Sequence, residues 1–380
     1  MTKLRDICRF QSGGTPSRGT PAYFNGNIPW ITTVALNGDV IDGNQAIEWI
    51  TDEAIAKSAA KIVPPHSVMI GTRVGIGKVA INSVPMSTSQ DIISLIGIDE
   101  NKWDKKFICH LITANKEHLN SQARGATIKG IKIEVIADLV LPEISVKEQA
   151  RVSEIIGKVD ALICMQQQMA RNLDQLIKSR FIELFGDYDL TRPQESWVTI
   201  KEIGTVVGGA TPKTDHDEYW GGSYRWITPA ELDADSGYIY DSIRKLTKAG
   251  VESCSLQEMP VGTVILSSRA PIGKVAIAGN TFYCNQGFKN IICKEGITPR
   301  YLYTVLLLNV KYLNSLGRGA TFKEISKGIV ESIRIPVPSM ELQKRFAAFV
   351  EQTDKSKLAA QKGLQELEIL KKSLMQQYFG

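Results

Sequence analysis

The sequence predicts an α+β chain in which a mixed α/β domain followed by one long helix occurs twice. Three observations support this prediction: segments that recur at a fixed offset, β-branched runs broken by turn residues, and stretches with heptad spacing. Ile76–Ile81 returns unchanged as Ile272–Ile277, an offset of 196 residues. A repeat this long indicates two equivalent domains rather than a solenoid of short units.

The first part of each repeat has the texture of an irregular sheet. In residues 1–143, short apolar runs alternate with turn residues such as Gly13-Gly14, Asn25-Gly26 and Pro64-Pro65. A helix is expected around 105–119. In the second repeat, residues 187–338 correspond to the mixed domain of residues 1–143.

The second part of each repeat predicts a long helix. From Ser145 to Phe185 there is no proline, and apolar residues recur at steps of four and three. About 38 helical residues would extend roughly 57 Å. The second helix carries smaller residues on its stripe, among them Ala360 and Gly363, which favours close packing of the two helices.

We therefore expect an antiparallel coiled-coil pair with a pseudo-twofold axis and one mixed domain at each end. A parallel pair inside one compact core is the alternative. The predicted boundaries are 1–143 for the first mixed domain, 144–186 for its helix, 187–338 for the second mixed domain and 339–380 for its helix.

The composition is that of a globular protein, with 380 residues, 43% apolar and 22% charged. The net charge of +5 permits nucleic-acid binding through local patches without demonstrating it. The start lacks the apolar stretch of a signal peptide, and no apolar run spans a bilayer, so a cytoplasmic protein is expected. The six cysteines form no CxxC pair, which argues against a zinc site or a disulfide framework.

No motif for catalysis or cofactor binding is visible. The segment 71–79 superficially resembles a phosphate-binding loop, but Thr72 and Val79 stand where a Walker A motif requires glycine and Ser or Thr. Asp160 and Asp354 correspond in the two repeats, and their position on the helices favours a solvated or capping role. We predict no catalytic residue, no metal and no cofactor.

The polar and basic residues that recur predict DNA binding. Arg, Lys, Thr and glycine amides hold phosphates, while Arg and Gln also read base edges. The alternative is that the glycines and threonines set turns and the basic side chains are solvated. The candidates, including two neighbours of the recurring loops, are Thr15, Arg18, Arg73, Lys78, Gln90, Arg124, Thr127 and Lys129 in the first repeat, and Thr211, Lys213, Arg269, Lys274, Gln286, Arg318, Thr321 and Lys323 in the second.

The whole chain resembles the specificity subunit of type I restriction-modification enzymes. The matching features are the Gly-Gly-Thr-Pro loop, the Trp-Ile-Thr segments, the Arg-x-x-Ile-Gly-Lys-Val-Ala-Ile hairpins, the Arg-Gly-Ala-Thr-x-Lys loops and the Gln-x-Arg triplets that open the helices. The resemblance implies a non-catalytic subunit with two target recognition domains, each reading one half of a split target in double-stranded DNA. It also implies that the helices set the spacing and dock methyltransferase subunits, two of which are expected. Restriction/translocase subunits would join through the complex.

Because the two repeats differ in sequence, the target should have two unlike halves. Base-reading residues are expected where the copies diverge, as in 16–24 against 212–220, and shared motif residues should mostly contact phosphate. Two other classes of protein remain as alternatives: a self-sufficient nuclease or methyltransferase with an unrecognised site, and a structural adaptor that binds protein.

Overall fold

The computed structural model describes residues 1–38, 40–125, 129–232, 237–269, 271–319 and 323–380. The chain divides into two compact units. The first unit contains Met1–Gln168 and Ala360–Gly380, and the second contains Met169–Ala359. None of the helices within the described ranges combines the length and the apolar character that crossing a bilayer requires.

The first unit contains two sheets. The five-stranded sheet has the strand order Arg9–Ser12, Ile92–Ile96, Val68–Gly71, Val79–Asn82, Val40–Ile41, and only its last pair is parallel. The four-stranded sheet has the order Glu48–Ile50, Phe24–Ile31, Met86–Thr88, Ile62–Val63. The short helices are Leu4–Ile7, Asp52–Lys57, Lys105–Ala114, Lys116–Ser121 and Ile133–Ala137, with 3-10 turns at Pro21–Tyr23 and Thr33–Ala35.

The second unit repeats the larger sheet. Its order is Gly204–Gly208, Lys289–Cys293, Val264–Leu266, Val275–Ala278, Tyr238–Ile239, again with a parallel last pair. The smaller sheets are Arg244–Leu246, Trp220–Ile227, Tyr283–Cys284 and the pair Val198–Thr199, Arg334–Ile335. The short helices are Ile200–Ile203, Lys248–Ser253, Pro299–Leu308, Val310–Ser315 and Lys327–Ser332, with 3-10 turns at Asp217–Tyr219 and Pro229–Glu231.

The core of each unit lies between the larger sheet and its helices. All residues of Val68–Gly71 and Val79–Asn82 are buried, which explains why these strands read as continuous apolar runs. The helix expected over 105–119 is instead two helices, because the chain leaves helical geometry at Asn115. Its start is fixed by Asp104, whose carboxylate accepts a hydrogen bond from the Phe107 amide at 2.7 Å.

The long helices span Val146–Phe185 and Met340–Phe379, 40 residues each. In the first unit, Asp160 forms an ion pair with Lys371 at 2.5 Å, and Gln166 lies beside Gly363. Residue numbers increase along one helix while those of the contacting residues on the other helix decrease, so the helices run antiparallel. The prediction of a long antiparallel pair is confirmed, and the parallel alternative is wrong.

The second unit contains the same antiparallel arrangement. Lys357 pairs with Asp174 at 2.8 Å, and the Arg180 guanidinium lies over the Phe349 ring at 5.7 Å. These contacts involve the end of the first long helix and the start of the second.

The expected solvated or capping role of the two equivalent aspartates is wrong. Asp160 binds Lys371, and Asp354 accepts a hydrogen bond from the largely buried Arg300 at 2.9 Å. Burial raises the pKa of Asp354 above its ordinary value, although Arg300 opposes the shift. Both carboxylates therefore belong to contacts that hold a long helix in its unit.

Each long helix ends on an aromatic contact with a mixed domain. The Phe379 ring lies 4.8 Å from Phe107 in the first unit, and the Phe185 ring lies 5.0 Å from Tyr301 in the second. Phe107 and Tyr301 occupy equivalent positions in the two repeats. These contacts explain why both repeats carry a phenylalanine at this position.

Each long helix also begins on a buried glutamine. Gln149 is 1% exposed, and its Oε1 accepts a hydrogen bond from the Asp104 amide at 2.9 Å. Its Nε2 donates to the carbonyls of Lys102 and Ile144 at 3.2 and 3.0 Å. One side chain thereby joins the first turn of the helix to the loop that starts a domain helix.

Gln343 makes the same set of contacts in the second unit. It is fully buried, accepts from the Thr298 amide at 2.8 Å, and donates to the carbonyls of Gly296 and Pro338 at 3.0 and 2.9 Å. The glutamine of the repeated triplet is therefore structural.

We predict that Gln149→Ala and Gln343→Ala each lower the free energy of unfolding by about 1–3 kcal/mol, because three partly buried backbone groups lose a partner. Denaturant unfolding measures the loss. Hydrogen exchange should also accelerate at the Asp104 amide in the first variant and at the Thr298 amide in the second.

Arg151→Ala provides the control, since Arg151 is on the same turn, exposed, and pairs only loosely with Glu148 at 3.7 Å. Equal effects of the Gln149 and Arg151 substitutions would contradict the structural role of the glutamine.

Candidate nucleic-acid interface

Four segments singled out by their recurrence meet at one edge of the larger sheet in the first unit. They are the loops around residues 14, 72, 90 and 130, which are far apart in the chain. The contacts joining them are Gly14 N to Thr88 O at 2.8 Å, the Thr15 hydroxyl to Gln90 Oε1, Thr72 N to Asp91 O at 2.8 Å and Ile131 N to Thr72 O at 2.9 Å.

The second unit joins the equivalent segments by the same contacts. They are Ala210 N to Cys284 O at 3.0 Å, the Thr211 hydroxyl to Gln286 Oε1, Ser268 N to Gly287 O at 2.7 Å and Ile325 N to Ser268 O at 2.9 Å. Most of these bonds are between backbone groups, so the shape of the edge survives changes of side chain. Gln90 and Gln286 are exposed, and their threonine partners orient them.

Glycine and tryptophan fix the first loop of each edge. A Cβ on Gly13 would lie 2.2 Å from the Ser89 carbonyl, so only glycine fits there. The Trp30 indole donates to the Gly14 carbonyl at 3.1 Å, and Trp226 donates to the Ala210 carbonyl at the same distance. The recurrence of these residues reflects this packing.

An arginine covers the aromatic residues behind the first loop of the first unit. The Arg18 guanidinium lies 5.0 Å from the Phe24 ring centroid and 5.6 Å from that of Trp30, and it pairs with Glu48. Its side chain is nevertheless 60% exposed.

In the second unit the covering arginine comes from another place in the sequence. Arg244 lies 3.4 Å from the Trp220 ring centroid and 5.5 Å from that of Trp226. Arg244 pairs with Trp226 across the sheet as Glu48 pairs with Trp30. Lys213 is exposed, and its carbonyl accepts from the Trp220 indole at 3.2 Å.

A basic pocket of about 500 Å³ lies beside this edge in the first unit. Its charged lining is Arg73, Arg124 and Lys132. Arg73 is half-exposed and lies 3.6 Å from Asp91, which is not part of the lining. Within the described ranges, neither Arg124 nor Lys132 forms an ion pair with a carboxylate. Three cationic side chains around one pocket favour the binding of an anion there.

The equivalent place in the second unit holds a carboxylate. Glu324 Oε2 lies 3.1 Å from Arg269 Nε, and its Oε1 lies 3.2 Å from Lys289 Nζ. Burial disfavours ionisation of Glu324, but Lys289 and Arg269 hold its pKa below its ordinary value. Arg318 is exposed and forms a backbone bridge with Glu324.

The structure does not bring every candidate to this edge. Lys78 lines a separate groove of about 1300 Å³ together with residues of the first long helix, including Glu154 and Asp160. Lys274 donates to the Pro229 carbonyl at 3.1 Å, a structural contact. Lys129 and Lys323 are exposed beside their loops, whereas Thr127 and Thr321 lie outside the described residues.

Four charged residues of these surfaces escaped the sequence reasoning: Lys132, Arg244, Lys289 and Glu324. They do not recur, so a search for shared residues passes over them. The signal for Glu324 was the contrast with Gly130, which occupies the equivalent position after the Arg-Gly-Ala-Thr motif.

Four of the six cysteines are poor nucleophiles near neutral pH. Burial raises the pKa of Cys8, Cys109, Cys284 and Cys293 to about 12. Within the described residues, no group of three or more His, Cys, Asp and Glu side chains is arranged to hold a metal ion.

Comparison with known proteins identifies relatives of both repeats. The family model for the type I restriction modification DNA specificity domain matches residues 1–182 and again residues 194–369. The type I restriction enzyme MjaIX specificity subunit of Methanocaldococcus jannaschii is 42% identical over 185 residues, 47% of this chain and 43% of that protein. The EcoR124I/EcoR124II specificity subunit of Escherichia coli is 31% identical over 166 residues, 42% of this chain and 40% of that protein. These alignments span less than half of the length of either relative.

The fold has a counterpart among solved structures. The type I restriction-modification system S subunit from M. genitalium superposes with a TM-score of 0.60 at 16% identity, covering 100% of this chain and 95% of that one. This likeness concerns the fold. The family model matches the chain twice and covers more than half of it, so the chain belongs to the type I restriction modification DNA specificity family and carries its domain twice.

Proposed function

We propose that the chain is the DNA specificity subunit of a type I restriction-modification complex. Each mixed domain, 1–143 and 187–338, acts as a target recognition domain that reads one half of a bipartite target. The segments 144–186 and 339–380 act as spacer helices that set the distance between the halves and dock two methyltransferase subunits. Restriction/translocase subunits join through the complex.

The observation that carries this proposal is the repeated edge. Distant segments rich in Arg, Thr, Gln and glycine are joined by the same hydrogen bonds in both units. Such groups hold phosphates and read base edges, and two equivalent surfaces suit two half-sites. The edge offers exposed cations at Arg73, Arg124 and Arg318.

Differences around this shared backbone support an asymmetric target. In the first unit, Arg18 covers the aromatic residues and pairs with Glu48. In the second unit, Arg244 covers the equivalent aromatic residues. We place base reading in the segments 16–24 and 212–220, which start at the shared threonine-proline turn and then diverge. The shared residues position the DNA through phosphates.

The proposal assigns the chain no catalytic residue and no cofactor. Half-buried carboxylates such as Asp354 are paired with cations in contacts that hold the helices, and four of the six thiols are protonated near neutral pH. Methyl transfer and cleavage then belong to the partner subunits.

A methylation assay tests the proposal. We expect the purified chain with S-adenosylmethionine and DNA to leave the DNA unmethylated. Addition of the methyltransferase subunits should give methylation at one asymmetric bipartite sequence, mapped by sequencing of modified bases. Methylation by the chain alone would identify a self-sufficient enzyme. Binding of a protein partner that is insensitive to salt, together with no binding of DNA, would identify a structural adaptor.

Single substitutions test the edge. Arg73→Ala should lower the slope of log affinity against log salt by about 0.9, since it removes one phosphate contact, and Arg269→Ala should lower the slope in the same direction. The Arg269 effect should be the smaller of the two, because Glu324 already neutralises that guanidinium. The measurement is a salt titration of binding to DNA that carries the target sequence mapped in the methylation assay.

Arg192→Ala is the matched control, because Arg192 is 89% exposed and lies outside the edge. If Arg73→Ala and Arg269→Ala both behaved like the control, the recurring arginines would be solvated side chains without contact to DNA.

Matched insertions test the spacer. Seven residues inserted after Gln166 and seven inserted before Gly363 would lengthen both helices at a point where they contact each other. At 1.5 Å per residue this adds about 10 Å, or roughly 3 base pairs, to the gap between half-sites. The mapped methylation sequence gives the gap. An insertion in only one helix is the control and should abolish activity; an unchanged gap after the matched insertion would overturn the spacer role.

A further inference from the structure

We propose that the basic pocket of the first unit binds one backbone phosphate of the DNA, and that Glu324 closes the equivalent site of the second unit. The two recognition domains would then grip the DNA backbone unequally. This inference rests on the proposed function and specifies which residues make one of its contacts.

The pocket of the first unit has the form of an anion site. Arg73, Arg124 and Lys132 line it from two loops that the Ile131 to Thr72 hydrogen bond holds together. Asp91 touches Arg73 at 3.6 Å from outside the pocket and offsets part of its charge. The side of the three cations that faces the pocket remains positive, with the neutral Gln122 beside it.

The second unit indicates what such a site accepts. Its equivalent arginine, Arg269, is occupied by the chain's own carboxylate, Glu324, at 3.1 Å. That carboxylate arises from the position where the first unit has Gly130. The backbone around the two positions is the same, because Arg124 bridges Gly130 as Arg318 bridges Glu324. The Glu324 carboxylate therefore occupies, in the second unit, the place that corresponds to the open pocket of the first unit.

The acids on this surface have exchanged positions between the repeats. The first unit has Asp91 and Gly130, whereas the second has Gly287 and Glu324 at the equivalent positions. Lys132 is likewise replaced by Ser326, which caps the helix Lys327–Ser332. The carboxylate of Glu324 and the loss of Lys132 lower the positive potential of the second site, whereas Lys289, which stands where the first unit has Ile93, offsets part of this change.

Gly130 accepts a side chain, which makes the exchange testable. Its backbone is outside the left-handed region, and the atom nearest to an added Cβ would be the flexible Arg73 Cγ at 3.0 Å. Gly130→Glu would thus copy the second unit into the first. Gly130→Gln has the same size without the charge and is the matched control.

The experiment is a salt titration of DNA binding by the full chain together with its methyltransferase subunits, on a duplex with the mapped target. We expect Gly130→Glu to lower the salt slope by about 0.9, which changes the loss of affinity between 50 and 200 mM salt by about 3.5-fold. Gly130→Gln should lower the slope less. Preference for the target over other sequences should stay unchanged, because a phosphate contact carries no sequence information.

Two further variants test the same idea without a new side chain in the pocket. Lys132→Ser introduces the residue of the second unit and should also reduce the slope. Glu324→Gln should increase the slope, because Arg269 and Lys289 then lose their carboxylate partner and can attract a phosphate.

An unchanged slope for both Gly130→Glu and Lys132→Ser, in a complex whose unmodified form binds its target, would overturn the phosphate site. An unchanged slope for Glu324→Gln would overturn the closing role of Glu324. If the unmodified complex did not bind DNA specifically, the failure would lie in the proposed function itself.

Discussion

From the first turn of a long helix, Gln149 and Gln343 each bind three backbone groups at the junction with a mixed domain. A buried amide tolerates few geometries, because each missing bond leaves a polar atom without a partner. The direction in which each helix leaves its domain is thus fixed at its first turn. The phenylalanine that ends the other helix completes the junction in each unit. The position of the candidate edge relative to the helices of its unit follows from these two contacts.

The edge itself combines a constant backbone with variable side chains. Its loops are joined largely by amide-to-carbonyl bonds and rest on strands that are buried throughout. Charges around it can change without moving the loops, as the exchange of Asp91 and Gly130 for Gly287 and Glu324 illustrates. A fixed scaffold with variable charge suits the proposed function, in which the two domains read unlike sequences.

Local patterns predicted the helices well and the interface in part. Each long helix spans 40 residues; heptad spacing without proline located the first, and the repeat located the second. The meeting of the four loops depends on strand order in the sheet, which local sequence does not encode. Recurrence of a residue in both repeats can also reflect a structural role, since Lys274 recurs but donates a hydrogen bond to the Pro229 carbonyl. Lys132 and Glu324 do not recur, and only the structure placed them beside Arg73 and Arg269.

The arginines over the two aromatic pairs restrict how recognition loops can be exchanged. In the first unit the cation comes from the loop at Arg18 and its counter-charge from the strand at Glu48, whereas in the second the strand itself supplies Arg244. A graft of residues 16–24 into the second domain would bring two guanidinium groups over the same rings, with no carboxylate from that strand between them. A graft that keeps this arrangement therefore has to carry the loop together with its strand.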